Sequence, residues 1–327
     1  MAVYTQLTRS QIDKLLESYD LGELVGFSEI SAGIENTNYF LDTYPKSGGE
    51  EADKGAVRYV LTLFESMEKN TLPFFNELTT HLAREGFKVP APVLTKQGEA
   101  IFELEQKPGM IVQCLSGKAV GKPKVTQCEA MAEYLASMHL ALRDFPRSRP
   151  LARDSDWMLA QKALLQQSAM PEEDFDLLEQ SIFRYSNEYG SATQDCPQGI
   201  VHGDLFRDNV LFRRDEVSGV IDFYHACQAT LLFDLAVMAN DWAWNASKGD
   251  YDEGLLRAIT QAYQSHRPWT DREREVWPRC LELGALRFWI SRLVSYYLPG
   301  YQQHSVEGDT AKNPDEMKAI LLRAQAL

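Results

Sequence analysis

The sequence predicts an α+β protein in two parts: a small antiparallel sheet at the amino end and a larger, mostly helical region after it. Three observations predict this. Short apolar runs at residues 25–30, 37–43 and 58–64 have the length and spacing of strands. Helical periodicity dominates from residue 125 onward, and 327 residues with 44% apolar content are enough for two lobes with real cores. The division is expected between residues 1–115 and 116–327.

Each element has its own signal. Residues 9–19 read as a short helix. The run Ser31-Ala32-Gly33-Ile34-Glu35-Asn36 joins two strands through small residues. It is therefore either an ordinary hairpin turn or one whose backbone amides approach phosphate. The polar residues 45–55 read as an exposed loop, 58–64 as a strand and 72–85 as a helix. Strands near Val93, at 101–104 and at 110–114 would complete the sheet. Helices are expected at 125–143, 155–167, 172–189, from Leu231 through Trp244, and at 275–298, followed by a looser tail. His139 falls near the end of the first of these, as a core or capping histidine. There is no internal repeat and no low-complexity tract.

The chemistry concentrates in residues 200–223. His202-x-Asp204 ends an apolar run, Asn209 lies five residues past Asp204, and residues 210–212 and 219–223 flank a turn-like stretch at 213–218. Folding that hairpin about Asp215 and Glu216 brings Asn209 and Asp222 to the same end of adjacent strands. An amide oxygen and a carboxylate presented together suit Mg²⁺, which takes few protein ligands and fills its shell with water and phosphate. Asp204 is then placed to accept the proton of an attacking hydroxyl. Phosphoryl transfer needs mainly positioning and charge neutralisation, so these three residues supply most of its minimum equipment.

Composition narrows the setting. A formal net charge of −14 argues against a nucleic-acid surface, because phosphate backbones select for Lys and Arg. The first residues lack a basic segment followed by an apolar one, and no apolar run approaches membrane-spanning length. The expectation is a soluble, cytoplasmic enzyme with no nucleic-acid or membrane partner. Cys114, Cys128, Cys196, Cys227 and Cys280 are odd in number and scattered, with no C-x-x-C pair, and read as reduced thiols.

His202-Gly203-Asp204-Leu205, Asn209 and Ile221-Asp222-Phe223 resemble the catalytic and metal loops of the protein-kinase-like superfamily, where H-R-D-L-x-x-x-N precedes D-F-G. Gly203 replaces the Arg and Tyr224 the Gly. With no later Ala-Pro-Glu segment, this form is similar to the aminoglycoside-phosphotransferase branch, whose members phosphorylate small molecules. The resemblance implies a two-lobed protein-kinase-like fold that uses ATP and Mg²⁺. It implies Asp204 as catalytic base and Asn209 and Asp222 as metal ligands. Nucleotide contacts would come from Ser31 and Gly33, and from the hinge backbone at Gln113, Cys114 and Leu115. Asp234 resembles the acid that supports the catalytic loop; alternatively it is an acid favoured by a helix N-terminus. The departure lies in the strand at 59–64, where Thr62 occupies the position of a phosphate-contacting cation. Arg58 shares its strand face but lies two pleats away, so that cation is unassigned. Glu77 is either the acid matching the missing cation or a solvated helix residue.

Within the branch, residues 31–39, 59–65, 72–75, 240–242 and 286–293 are similar to homoserine kinases of this type. That implies ATP-dependent phosphorylation of the side-chain hydroxyl of L-homoserine, a step toward threonine. Asn36, Asp241, Arg287 and Arg292 are candidates for holding the acceptor, each with a plain reading as a turn or helix-surface residue. The alternatives are a kinase for another small acceptor (choline, an aminoglycoside or a sugar) or an inactive binding protein of kinase fold.

Overall fold

Alternating burial along the strand at residues 36–44 marks the covered face of the amino-terminal sheet. The computed structural model of the protein describes residues 4–30, 36–45, 55–298 and 313–327. By internal contacts the chain separates into one unit within Met1–Leu115 and another spanning Ser116–Gln302 with Ala311–Leu327.

In the first unit, β1 (Glu23–Glu29), β2 (Asn36–Tyr44), β3 (Val57–Phe64), β4 (Ile101–Leu104) and β5 (Lys107–Gln113) form one antiparallel sheet in the order β1-β2-β3-β5-β4. Thr37, Tyr39, Leu41 and Thr43 alternate inward along β2, as a strand with one covered face requires. The short helix α1 (Arg9–Leu16) starts at Thr8, which shares a reciprocal capping box with Gln11. It adds Ile12 and Leu16 to a core with Tyr39, Leu41, Leu61, Leu63 and Ile111. A second helix, α2 (Leu72–Arg84), buries Leu72, Phe74, Phe75, Leu78 and Leu82 and carries Glu77. The expected strand near Val93 is instead an extended segment. Pro90 and Pro92 lack N–H donors, so contact with the sheet reduces to a bridge between Pro92 and Val112, with Val93 N–H on the Ile111 carbonyl at 2.8 Å and Gln113 N–H on the Ala91 carbonyl at 3.1 Å.

The second unit is mostly helical: α3 (Val125–Ala141), α4 (Ser155–Leu165), α5 (Glu172–Arg184), α6 (Gly190–Gln194), α7 (Leu232–Trp242), α8 (Glu253–His266), α9 (Asp271–Tyr297) and α10 (Pro314–Gln325). Three short pairs of strands interrupt it: β6 (Gln198–Val201) with β9 (Cys227–Thr230), β7 (Val210–Arg213) with β8 (Glu216–Val220), and β10 (Trp244–Asn245) with β11 (Asp250–Tyr251). α9 begins earlier than residue 275 because Thr270 and Glu273 close a capping box, and it continues through Pro278. The looser tail expected after it contains α10, whose Met317, Ile320, Leu321 and Ala324 are buried at helical spacing. Among the described residues, no helix is long and apolar enough to cross a membrane.

Candidate active site

The site grows from the end of β6. Past Val201 the chain turns sharply at Gly203, whose φ of +82° is open to glycine. A side chain there would also bring its Cβ to 2.5 Å from the His225 carbonyl oxygen. That tight passage explains why glycine stands where protein kinases carry arginine.

One buried carboxylate holds the turn. Asp234, in the first turn of α7, accepts the backbone N–H of His202 at 2.6 Å and that of Gly203 at 2.8 Å. His139 of α3 approaches the same carboxylate at 3.1 Å through Nε2, while its Nδ1 lies 2.7 Å from the Tyr263 hydroxyl. Arg267 Nε donates to that hydroxyl at 3.0 Å, and its guanidinium pairs with buried Glu273. Both ring nitrogens of His139 therefore have a buried polar partner, the Tyr263 hydroxyl at Nδ1 and the Asp234 carboxylate at Nε2. Burial alone would raise the Asp234 carboxyl, but the His139 hydrogen bond and charge and the Gly203 N–H hold it below the usual range. His139 is thus a core histidine, as its periodicity suggested, and Asp234 is both an acid at a helix start and the anchor of the loop.

The loop then presents its chemistry. Asn209 Nδ2 donates to the Asp204 carbonyl at 2.8 Å and to Asp204 Oδ2 at 2.9 Å, fixing the rotamer of the carboxylate. Burial raises the Asp204 carboxyl above the ordinary range, against the opposing pull of His202 and Arg287. His202 Nε2 donates to the Ile221 carbonyl at 2.9 Å, which ties this loop to the next one. The β7–β8 hairpin pairs Arg213 with Glu216. Its turn is therefore Arg214-Asp215, one residue earlier than expected, with Arg214 at φ +57° and a register shift at Leu211/Phe212 absorbing the difference. Ile221 N–H on the Asn209 carbonyl, at 2.9 Å, sets Asn209 and Asp222 at the same end of the hairpin. Asp222 is exposed and adopts a left-handed conformation, φ +64°.

These donors fit Mg²⁺. Asn209 makes its contacts with Asp204 through Nδ2, which leaves Oδ1 as the amide's acceptor, and Asp222 adds one carboxylate. Among the described residues no cluster of three His, Cys, Asp or Glu is poised for a metal. A hard cation bound by few protein oxygens matches that sparse set better than zinc does.

The sheet unit offers a different arrangement at Thr62. Its hydroxyl donates to Asn38 Oδ1 at 2.7 Å, so the position holds a neutral pair. Arg58 makes a two-pronged bond to Asp42, at 2.7 and 2.9 Å, and lies over the Phe40 ring. Gln113 N–H is engaged by the Ala91 carbonyl at 3.1 Å and Cys114 N–H by the Arg58 carbonyl at 3.4 Å, and Leu115 follows. Asn36 opens β2 opposite Phe64. Ser31 and Gly33 lie outside the described residues.

Of the remaining acceptor candidates, Arg287 reaches the residue before Asp204, through Nη1 and the Gly203 carbonyl at 3.3 Å. Asp241 instead takes three bonds from Arg207, one from its backbone N–H and two from its guanidinium, and so braces the turn before Asn209. Arg292 pairs with Glu316 on α10 and with the Asn313 carbonyl. The sequence reading overlooked Arg207, Arg153 and His225. Arg207 had a signal, being a lone cation between Asp204 and Asn209, whereas Arg153 and His225 are brought near the loop by tertiary folding alone.

Residues 26–271 match the phosphotransferase enzyme family. The chain belongs to that family. Among relatives of this phosphotransferase, homoserine kinase of Methylobacillus flagellatus is 40% identical over 98% of this chain and 94% of its own. Homoserine kinase of Neisseria meningitidis serogroup B is 38% identical over 98% and 99%. Among solved structures, an amicoumacin kinase in complex with AMP-PNP and Ca²⁺ aligns over 98% of this phosphotransferase and 92% of its own chain, with a TM-score of 0.67 and 14% identity. That likeness establishes the protein-kinase-like fold.

Proposed function

We propose that this phosphotransferase moves the γ-phosphoryl group of ATP to the side-chain hydroxyl of L-homoserine, giving O-phospho-L-homoserine on the way to threonine. The observation that carries the reading is the near-full-length identity with enzymes named homoserine kinase. The intact set of Asp204, Asn209 and Asp222 supports an active enzyme over an inactive binding protein.

In this reading Asp204 accepts the acceptor's hydroxyl proton as that oxygen attacks the γ-phosphorus. The bond from phosphorus to the β,γ-bridging oxygen breaks, and ADP leaves. A carboxyl raised by burial is the better base near neutral pH, and the Asn209 hydrogen bond keeps one of its oxygens aimed. Mg²⁺, held by Asn209 and Asp222, would neutralise charge on the phosphates. Backbone groups of Ser31 and Gly33 would approach the phosphates, and those of Gln113 and Leu115 the adenine. The five free cysteines, four of them buried, and the acidic chain are in keeping with a cytoplasmic enzyme acting on small molecules.

Steady-state kinetics with L-homoserine, choline, kanamycin and methylthioribose test the reading. L-Homoserine is expected to have by far the highest kcat/KM; a clear preference for another acceptor overturns the substrate and leaves the phosphoryl-transfer chemistry standing.

A further inference from the structure

Arg287 is a cation taken out of water without adequate partners. It is 2% exposed on α9, its one hydrogen bond is the 3.3 Å contact with the Gly203 carbonyl, and its Nε is buried with no acceptor among the described residues. The rings of Phe233 and Phe288 lie 4.8 and 5.3 Å from the guanidinium carbon. Rings can cover the faces of the group, but its in-plane N–H donors call for oxygens. Burial lowers its pKa to about 10, so it remains charged at neutral pH. Of the acids within electrostatic range, Asp204 is engaged by Asn209, and Asp234 is already bound by His139 and the loop amides.

The surroundings add positive charge. Arg153 Nη1 donates to Ser291 Oγ at 3.2 Å, and Ser291 stands one turn past Arg287 on α9. Burial, then the charges of Arg153, Arg287, His202 and Arg149, hold the His225 imidazole well below its ordinary range. Two guanidinium groups brought together beside a half-buried carboxylate call for an anion that arrives with the substrate.

We propose that Arg287, with Arg153 beside it, receives the α-carboxylate of the acceptor amino acid and so selects that acceptor. The inference rests on homoserine being the acceptor. The carbonyl that Arg287 touches belongs to the residue before Asp204, and in homoserine four bonds separate the carboxylate carbon from the hydroxyl oxygen. A carboxylate held at Arg287 therefore delivers the hydroxyl toward Asp204. Choline and aminoglycosides carry no carboxylate and gain nothing there.

The test compares L-homoserine, its methyl ester and 3-aminopropan-1-ol in the wild type, Arg287→Met and Arg153→Gln, each checked for folding by circular dichroism. The wild type should favour homoserine over the ester by at least about tenfold in kcat/KM, the scale of a charged hydrogen bond. Both variants should raise KM for homoserine at least as much and lower kcat/KM for the ester and the amino alcohol far less, so that the preference collapses. A role confined to propping the loop lowers activity on all three acceptors alike, and that result overturns the proposal, as does a wild type indifferent to esterification. Should Arg287→Met fail to fold, half-buried Arg153→Gln decides alone. A wild type that ignores homoserine but phosphorylates choline overturns the acceptor reading, and this one with it.

Discussion

The catalytic loop and strand β3 treat charge in opposite ways. The loop is held by a buried chain from Glu273 and Arg267 through Tyr263 and His139 to Asp234, each polar atom in it meeting a partner. On β3 the corresponding place for a cation carries Thr62, whose hydroxyl meets Asn38, while the nearest arginine on that strand face is joined to Asp42. A group that must stay in one rotamer while a proton moves benefits from a low-dielectric, fully satisfied scaffold. Contact with a mobile triphosphate can be made by backbone amides instead, and so tolerates a neutral side chain. The difference teaches that this enzyme invests its buried charge in holding the 202–209 loop and not in strand β3.

Four substitutions or conditions would break or sharpen that contrast. The largest effect is expected for Asp222→Ala, which removes the one carboxylate from the pair proposed to hold Mg²⁺. Turnover with saturating acceptor should fall by roughly a hundredfold or more, and raising Mg²⁺ should recover part of it. Recovery is the telling readout, because an unfolded variant would not respond.

Asp234→Asn should come next. It leaves His139 and the loop amides short of a charged acceptor in a fully buried place, which costs on the order of 3 kcal/mol of stability, visible in the urea midpoint. The sign with pH is set: Asp234 has its folded pKa held down, so its contribution is complete above the ordinary carboxylate value of about 3.9 and is lost as pH falls through the folded value. The gap between variant and wild type should therefore be constant near neutrality and close only in strong acid.

A smaller effect concerns acid inhibition. The raised pKa of Asp204 places the acid limb of kcat/KM above that of an ordinary carboxylate, since the base must be ionised to act. Activity should fall with decreasing pH before the protein loses its fold. An acid limb coincident with unfolding would deny Asp204 that role.

Thr62→Ala should matter least. The variant loses one neutral hydrogen bond, about 1 kcal/mol of stability, and KM for ATP should move by less than about threefold. A loss as severe as that of Asp222→Ala would give the hydroxyl a direct part in nucleotide use.

Much of this was legible in the sequence because its signals are local. The spacing of Asp204, Asn209 and Asp222 survives in the folded loops, and the two-residue hairpin that joins them needed only strand alternation to be read. The turn was placed one residue late because a register shift at Leu211/Phe212 leaves no composition cue. Pro90 and Pro92 were sufficient reason to withhold a strand at Val93, and α10 had its start signal in Asn313-Pro314-Asp315-Glu316. What sequence could not give was distance. Nothing local pairs Tyr263 with His139, brings Arg153 toward Arg287, or binds Arg207 to Asp241.

The central claim is that a preorganised Asp204 is the base, and the direct measurement is single-turnover phosphorylation of L-homoserine by Asp204→Asn loaded with Mg-ATP. Asparagine preserves the shape and can still accept from Asn209, so the nucleotide should bind with nearly the wild-type Kd. The rate of phosphoryl transfer should fall by about a hundredfold or more. A folded variant that transfers phosphate at close to the wild-type rate would contradict the account.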